Sequence, residues 1–131
     1  MIVLDTCAVI WNALAPERLS AKAKSAIAKA NRTNGMYICS VSFWEIAMLI
    51  QAGRFQPGCD FTEFIEVVLN ANHYIVAEIT PSIAELSAHL PTLIAQDPVD
   101  RIIVATAITY RVPLVTGDER LHSSPLIPSI W

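Results

Sequence analysis

The chain has 131 residues, of which 53% are hydrophobic and 16% charged, and its net charge is −3. This length suits one domain over residues 1–131, one that buries roughly two-thirds of its unfolded surface, and a charge content below the ~25% of ordinary soluble domains predicts that a partner covers some apolar surface. No run approaches the ~18 apolar residues of a membrane span, and Met1-Ile2-Val3-Leu4-Asp5 lacks the basic start of a secretory leader, so a cytoplasmic protein is expected.

Ile2-Val3-Leu4 is a short apolar run ending in Asp5, as in a strand buried on both faces. The Ala- and Lys-rich stretch after Ser20 predicts a helix with Ser20 as N-cap and Asn34-Gly35 as its stop. Met36 to Cys39 reads as a second strand, and Ser42 to Ala52 as an apolar helix closed by Gly53. A helix from about Thr62 to Asn70 precedes a strand at Tyr74 to Glu78, and Pro81 opens a helix through Leu90. Asp97-Pro98 begins a long helix that ends near Arg111. Pro113 to Thr116 is a further strand, and Leu126 to Trp131 supplies an edge strand. Alternating strands and helices predict an α/β fold, a parallel sheet with helices on both faces.

Ligands of open parallel sheets bind beyond the carboxyl ends of the strands. Asp5, Glu45, Asp100 and Asp118 fall there, with Asp97 beside them. Each also has a structural reading. Ser42 and Glu45 fit a capping box, Asp97 an N-cap before Pro98 with Asp100 in the first turn, and Asp118 a cap on a short Glu119-Arg120-Leu121 turn. Asp5 resists such a reading most, because an acid ending a buried strand is costly without polar or charged partners.

Capping does not require these acids to share one edge; metal chemistry does. Several carboxylates brought together repel and raise each other's pKa unless a cation holds them. Magnesium or manganese, as one or two ions, fits all-oxygen ligands and phosphate substrates, and phosphodiester hydrolysis is the matching chemistry. Asp5, Asp100 and Asp118 are read as metal ligands, with Glu45 binding directly or through water, or orienting the nucleophile. The hydroxyls of Thr6 and Thr116 and the guanidinium of Arg101 are candidates for substrate contact.

Cys7, Cys39 and Cys59 show neither paired nor zinc-ligand spacing, and His73, His89 and His122 are scattered. Setting aside the five acids leaves seven against nine Lys and Arg, so the rest of the chain carries about +2 despite its acidic total. Lys22, Lys24, Lys29 and Arg32 form a basic helix flank, ordinarily a solvated face and otherwise a site for a phosphate backbone, and Phe43, Trp44, Met48 and Phe55 are ordinarily core and otherwise a region for protein contact. A phosphate-accepting receiver domain would show paired acids after the first strand and a lysine after the last, whereas Asp5-Thr6-Cys7 and Gly117-Asp118-Glu119-Arg120 show neither. A haloacid-dehalogenase-like phosphatase lacks its D-x-D for the same reason.

The pieces Val3-Leu4-Asp5-Thr6, Ser40 to Leu49, Asp97-Pro-Val-Asp100-Arg101 and Leu114-Val115-Thr116-Gly117-Asp118 together resemble the PIN-domain nucleases, and among them VapC-type toxins of toxin-antitoxin pairs. The resemblance implies a three-layer α/β/α fold with a four- or five-stranded parallel sheet. It also implies a magnesium- or manganese-dependent endoribonuclease, a homodimer, and an antitoxin lying across or near the acidic groove. Asp5, Glu45, Asp100 and Asp118 match the family's acidic quartet, and Asp97 an extra acid of one subgroup. Transfer RNA or ribosomal RNA is the implied substrate, and no motif chooses between them. A non-catalytic binding module on the same fold is the alternative.

Overall fold

A computed structural model describes residues 1–92 and 94–131. Five parallel strands, β1 (Val3–Leu4), β2 (Met36–Cys39), β3 (Tyr74–Ala77), β4 (Leu114–Val115) and β5 (Ser129–Ile130), form one sheet in the order β3-β2-β1-β4-β5. In the central strand Val3 and Leu4 are both fully buried, as the apolar run predicts.

Alternate strand residues feed two cores. Leu4, Met36, Ile38 and Val115 pack on one side with Val9, Ile27, Ile46, Phe64 and Val68, while Val3, Cys39 and Leu114 pack on the other with Ile83, Ile103 and Val104. The first set comes from helices α1 (Thr6–Leu14), α2 (Ala21–Arg32), α3 (Ser40–Gln51) and α4 (Phe61–Ala71). The second comes from α5 (Pro81–His89) and α6 (Pro98–Tyr110), and a short α7 (Glu119–His122) follows β4. The three-layer α/β/α expectation therefore holds, with five strands rather than four.

Local chemistry explains most helix ends. Ser20 caps α2 by accepting from Ala23 N–H at 3.1 Å, and Thr80 caps α5 from Ile83 N–H at 3.2 Å. Gly53, at φ 70°, follows α3, and the Gly53 and Arg54 N–H groups bond back to Ile50 and Leu49 carbonyls. Gly35 turns the chain into β2 at φ 86°, where a Cβ would lie 2.7 Å from the His73 carbonyl oxygen.

Two local expectations are corrected. Sequence reading gave no helix after Asp5, yet α1 begins at Thr6; its Thr, Val, Ile and Trp are indifferent helix formers, and packing against the sheet fixes it. Helix α3 begins at Ser40 rather than Ser42, with Cys39 as its N-cap residue, so Ser42 and Glu45 form no capping box. Ser42 is instead fully buried and meets the Thr6 hydroxyl at 3.0 Å, which ties α3 to α1.

Candidate active site

Asp5, Glu45 and Asp118 are placed by strand-to-helix junctions, and Asp97 and Asp100 by the start of α6, which follows α5. Asp5 leaves β1 and caps α1, accepting from Ala8 N–H at 2.8 Å. Asp97 caps α6, accepting from Val99 N–H at 2.8 Å and Asp100 N–H at 3.3 Å, and Asp100 stands in the first turn. Asp118 follows β4 and caps α7 through Arg120 N–H at 3.0 Å. Glu45 comes from the second turn of α3, after β2.

Asp5, Glu45, Asp97 and Asp100 line one pocket of about 270 Å³, together with Thr6, Cys7, Leu49 and Arg54. Asp118 stands outside that lining: its carboxylate is gripped by Arg120, with Nε at 3.1 Å and Nη2 at 2.8 Å.

The electrostatics follow this division. Burial raises the pKa of Asp5; the Thr116 hydroxyl and the Ala8 N–H oppose the rise, while Glu45 and Asp118 add to it. Asp100 is pushed up to about 6, first by burial and then by the charges of Asp97, Glu45, Asp5 and Asp118. Asp118 is held below the usual carboxylate range by the Arg120 hydrogen bonds. Desolvation and the charges of Asp5, Glu45 and Asp100 push the Cys7 thiol up to about 11, so it is protonated at neutral pH and a poor metal ligand.

A divalent ion fits the chemistry of this donor set. The ligands are all oxygen, and Asp5 and Asp100 each feel the negative charge of Glu45 and Asp118, repulsion that a hard cation would relieve. Among the described residues no three His, Cys, Asp or Glu side chains stand close enough together to hold an ion without rearrangement. Asp118, paired with Arg120, is the acid that stands apart from the pocket.

The three side chains considered for substrate contact have partners within the fold. Arg101 faces inward: Nε donates to the Ser87 carbonyl at 2.9 Å, Nη1 to Ala95 at 2.8 Å, and Nη2 to Leu90 and Ala88. It clamps the last turn of α5, together with Leu90 and Ala95, onto α6, and among the described residues it pairs with no acid. Thr6 is buried against Ser42. Thr116, also buried, accepts from Asp118 N–H at 3.1 Å and lies beside Asp5, so it positions both acids. Sequence reading missed that role and the Arg120 grip. The spacing Asp118-x-Arg120 was its one available signal, since a cap with an arginine two residues on can fold back upon it.

The raised Asp100 pKa carries a sign. The folded state holds a proton that the unfolded state releases near 3.8, so this contribution to stability is complete below pH 3.8 and is lost as pH rises through about 6. With chelator present, Asp100→Asn is therefore expected to melt with the unsubstituted protein near pH 4 and above it at pH 7. Parallel melting curves across that range would exclude the effect.

A profile of the PIN domain matches residues 2–124. The chain belongs to the PIN-domain family. It is 33% identical to ribonuclease VapC22 of Mycobacterium tuberculosis over 132 aligned positions, covering 99% of this chain and 98% of that protein. Among solved structures, this PIN domain resembles VapBC2 from Rickettsia felis bound to a promoter DNA fragment, with TM-score 0.72, 15% identity and coverage of 98% and 97%. It also resembles DNA-bound VapBC from Salmonella typhimurium, with TM-score 0.69, 17% identity and coverage of 98% and 95%. At those identities the structural matches establish the fold.

Proposed function

We propose that this PIN domain is a VapC-type toxin, a divalent-metal-dependent endoribonuclease that hydrolyses RNA phosphodiester bonds. The observation that carries the reading is the meeting of Asp5, Glu45, Asp97 and Asp100 on one pocket at the carboxyl edge of the sheet. The resemblance to a ribonuclease along almost the whole chain supports the same reading.

Asp5, Asp100 and Asp118 would hold magnesium or manganese, one or two ions, with Glu45 as a further ligand or as the group that orients the attacking water. When bound, such an ion offsets the charge that develops on the attacked phosphoryl group and makes water a better nucleophile near neutral pH. Asp97 fixes the first turn of α6 and thereby aims Asp100. The Thr6 to Ser42 hydrogen bond holds the helices of Asp5 and Glu45 together, and Thr116 holds the junction that carries Asp118.

Surfaces suited to the implied partners border the pocket. Trp44 and Met48 are 59% and 50% exposed, and with Leu49, Ala52, Arg54 and Pro98 they line an apolar groove of about 360 Å³ that shares Glu45 and Asp97 with the acidic pocket. An antitoxin segment lying there would cover apolar surface and block the acids together. Phe43 and Phe55 are half-buried against the core and belong to the fold. Lys22, Lys24, Lys29 and Arg32 are exposed along α2, a basic flank for the RNA backbone. Transfer RNA or ribosomal RNA is the substrate proposed, and a homodimer the assembly. No helix among the described residues is long and apolar enough to cross a membrane; the location proposed is the cytoplasm.

Manganese binding to the folded state alone should raise the melting temperature. At a concentration 100 times the dissociation constant the gain is about 2.7 kcal/mol, on the order of 10 °C for a domain of this size. Asp100→Asn should lose most of that rise. An unchanged melting temperature in millimolar manganese, with RNA left intact, would refute the metal-nuclease reading.

A further inference from the structure

Asp118 differs from the other acids in having a cationic partner, and the pairing is specific. Its Oδ1 accepts from the Arg120 backbone N–H at 3.0 Å and from Nε–H at 3.1 Å, while Oδ2 accepts from Nη2–H at 2.8 Å. This two-pronged contact is the one ion pair among the described residues. It lies at the rim of the site, with side-chain exposures of 27% for Asp118 and 64% for Arg120.

The backbone around this pair is fixed. Asp118 N–H is held by Thr116, and the preceding Gly117 sits where a Cβ would lie 3.1 Å from the Trp131 ring. Asp118 therefore has little freedom to seek an ion by moving its backbone; its side chain must exchange partners in place. Both carboxylate oxygens accept from Arg120, so a cation that binds either one is repelled by the guanidinium beside it and competes with it for the carboxylate charge.

We propose that Arg120 is an exchangeable partner for Asp118: it occupies the carboxylate until a divalent ion displaces it, and the released guanidinium then binds a phosphate at the edge of the site. The inference rests on the reading of Asp118 as an ion ligand. The chemistry of the exchange is favourable at both ends. A divalent ion carries twice the charge of the guanidinium it replaces, and the released fork of N–H donors matches a phosphate as well as a carboxylate. With 64% of its side chain exposed, Arg120 has solvent to move into. Arg120 is thus a positioning residue for Asp118 before the ion enters, and a phosphate contact afterwards.

Calorimetric titration of the full chain with manganese at neutral pH tests the competition. Arg120→Ala should bind manganese about two- to fivefold more tightly than the unsubstituted protein, the size expected for losing a partly exposed pair. Arg120→Lys, which keeps the charge but not the fork, should fall between them. In protein labelled with 15N-arginine, the Arg120 Nε–H signal, assigned by its loss in Arg120→Lys, should move on saturation with magnesium. Inorganic phosphate should then shift it further, and should leave it in place when magnesium is absent. Equal or weaker manganese binding by Arg120→Ala, or a signal unmoved by magnesium, would overturn the exchange while leaving the metal site intact. A phosphate shift independent of magnesium would overturn the second half. No manganese binding by either protein would remove the metal reading itself, and this inference with it.

Discussion

Asp5→Asn is expected to lower RNA cleavage about a thousandfold or more, the equivalent of about 4 kcal/mol in the barrier, and to relieve growth inhibition, while the protein still folds. The two halves of this expectation have separate causes. Asp5 lies at the end of the buried central strand and faces the same pocket as Glu45, Asp97 and Asp100, so its negative charge is the contribution that an amide cannot replace. Its capping contact, by contrast, needs only an oxygen: Asn can accept from Ala8 N–H as Asp does, and the two are comparable N-caps. Burial already works against the ionised form of Asp5. The amide should therefore leave the melting temperature unchanged or slightly raised when chelator is present. Full cleavage by a folded Asp5→Asn variant would remove Asp5 from the mechanism.

Arg101→Ala is expected to act in the opposite manner, on the fold first and on activity as a consequence. Its guanidinium supplies four donors to the carbonyls of Ser87, Ala88, Leu90 and Ala95. Hydrogen bonds from a charged donor stabilise by roughly 1.5–3 kcal/mol each; because some of these carbonyls can turn to water, a total loss of about 3 kcal/mol is expected, on the order of 10 °C in melting temperature. Arg101→Lys, with a single ammonium in place of the fork, should recover only part of it. Since Asp100 is the neighbouring residue, loosening this end of α6 should also reduce manganese binding. A melting temperature within 2 °C of the unsubstituted protein, roughly the noise of a surface substitution, would show that the clamp contributes little.

Arg101 also shows where sequence reading stopped. Beside Asp100 it looks like a phosphate contact, and only the folded chain reveals that carbonyls 14, 13, 11 and 6 residues earlier claim it. Features with local causes were legible. The apolar run before Asp5, the Ser20 cap, Gly53 after α3, and Asp97-Pro98 at the head of α6 each follow from one or two neighbouring residues. The parallel sheet followed from the alternation of such elements, and Asp5, Glu45 and Asp118 could be assigned to its carboxyl edge because strand ends were visible; Asp97 and Asp100 follow α5, and the fold brings them to the same pocket as Asp5 and Glu45.

Features set by tertiary contact were not legible. Helix α1 owes its place to burial of Ala8, Val9 and Ile10 rather than to propensity. The start of α3 shifted because Ser42, which resembles a cap, is drawn into the core by the Thr6 hydroxyl. For Glu45 the consequence is direct: released from a capping role, it is a side chain of the second helical turn that faces the acidic pocket. Asp97, by contrast, is the N-cap that Asp97-Pro98 announces, and its bonds to α6 make it a support for Asp100.

The central claim is that the carboxylates of this pocket cut RNA, and the most direct measurement is to map RNA 5′ ends in cells before and after induced expression of the chain, with Asp5→Asn as the control. New ends should accumulate at a restricted set of sites, and should be absent with the folded Asp5→Asn variant. An end map unchanged by expression, or the same new ends with Asp5→Asn, would contradict the claim.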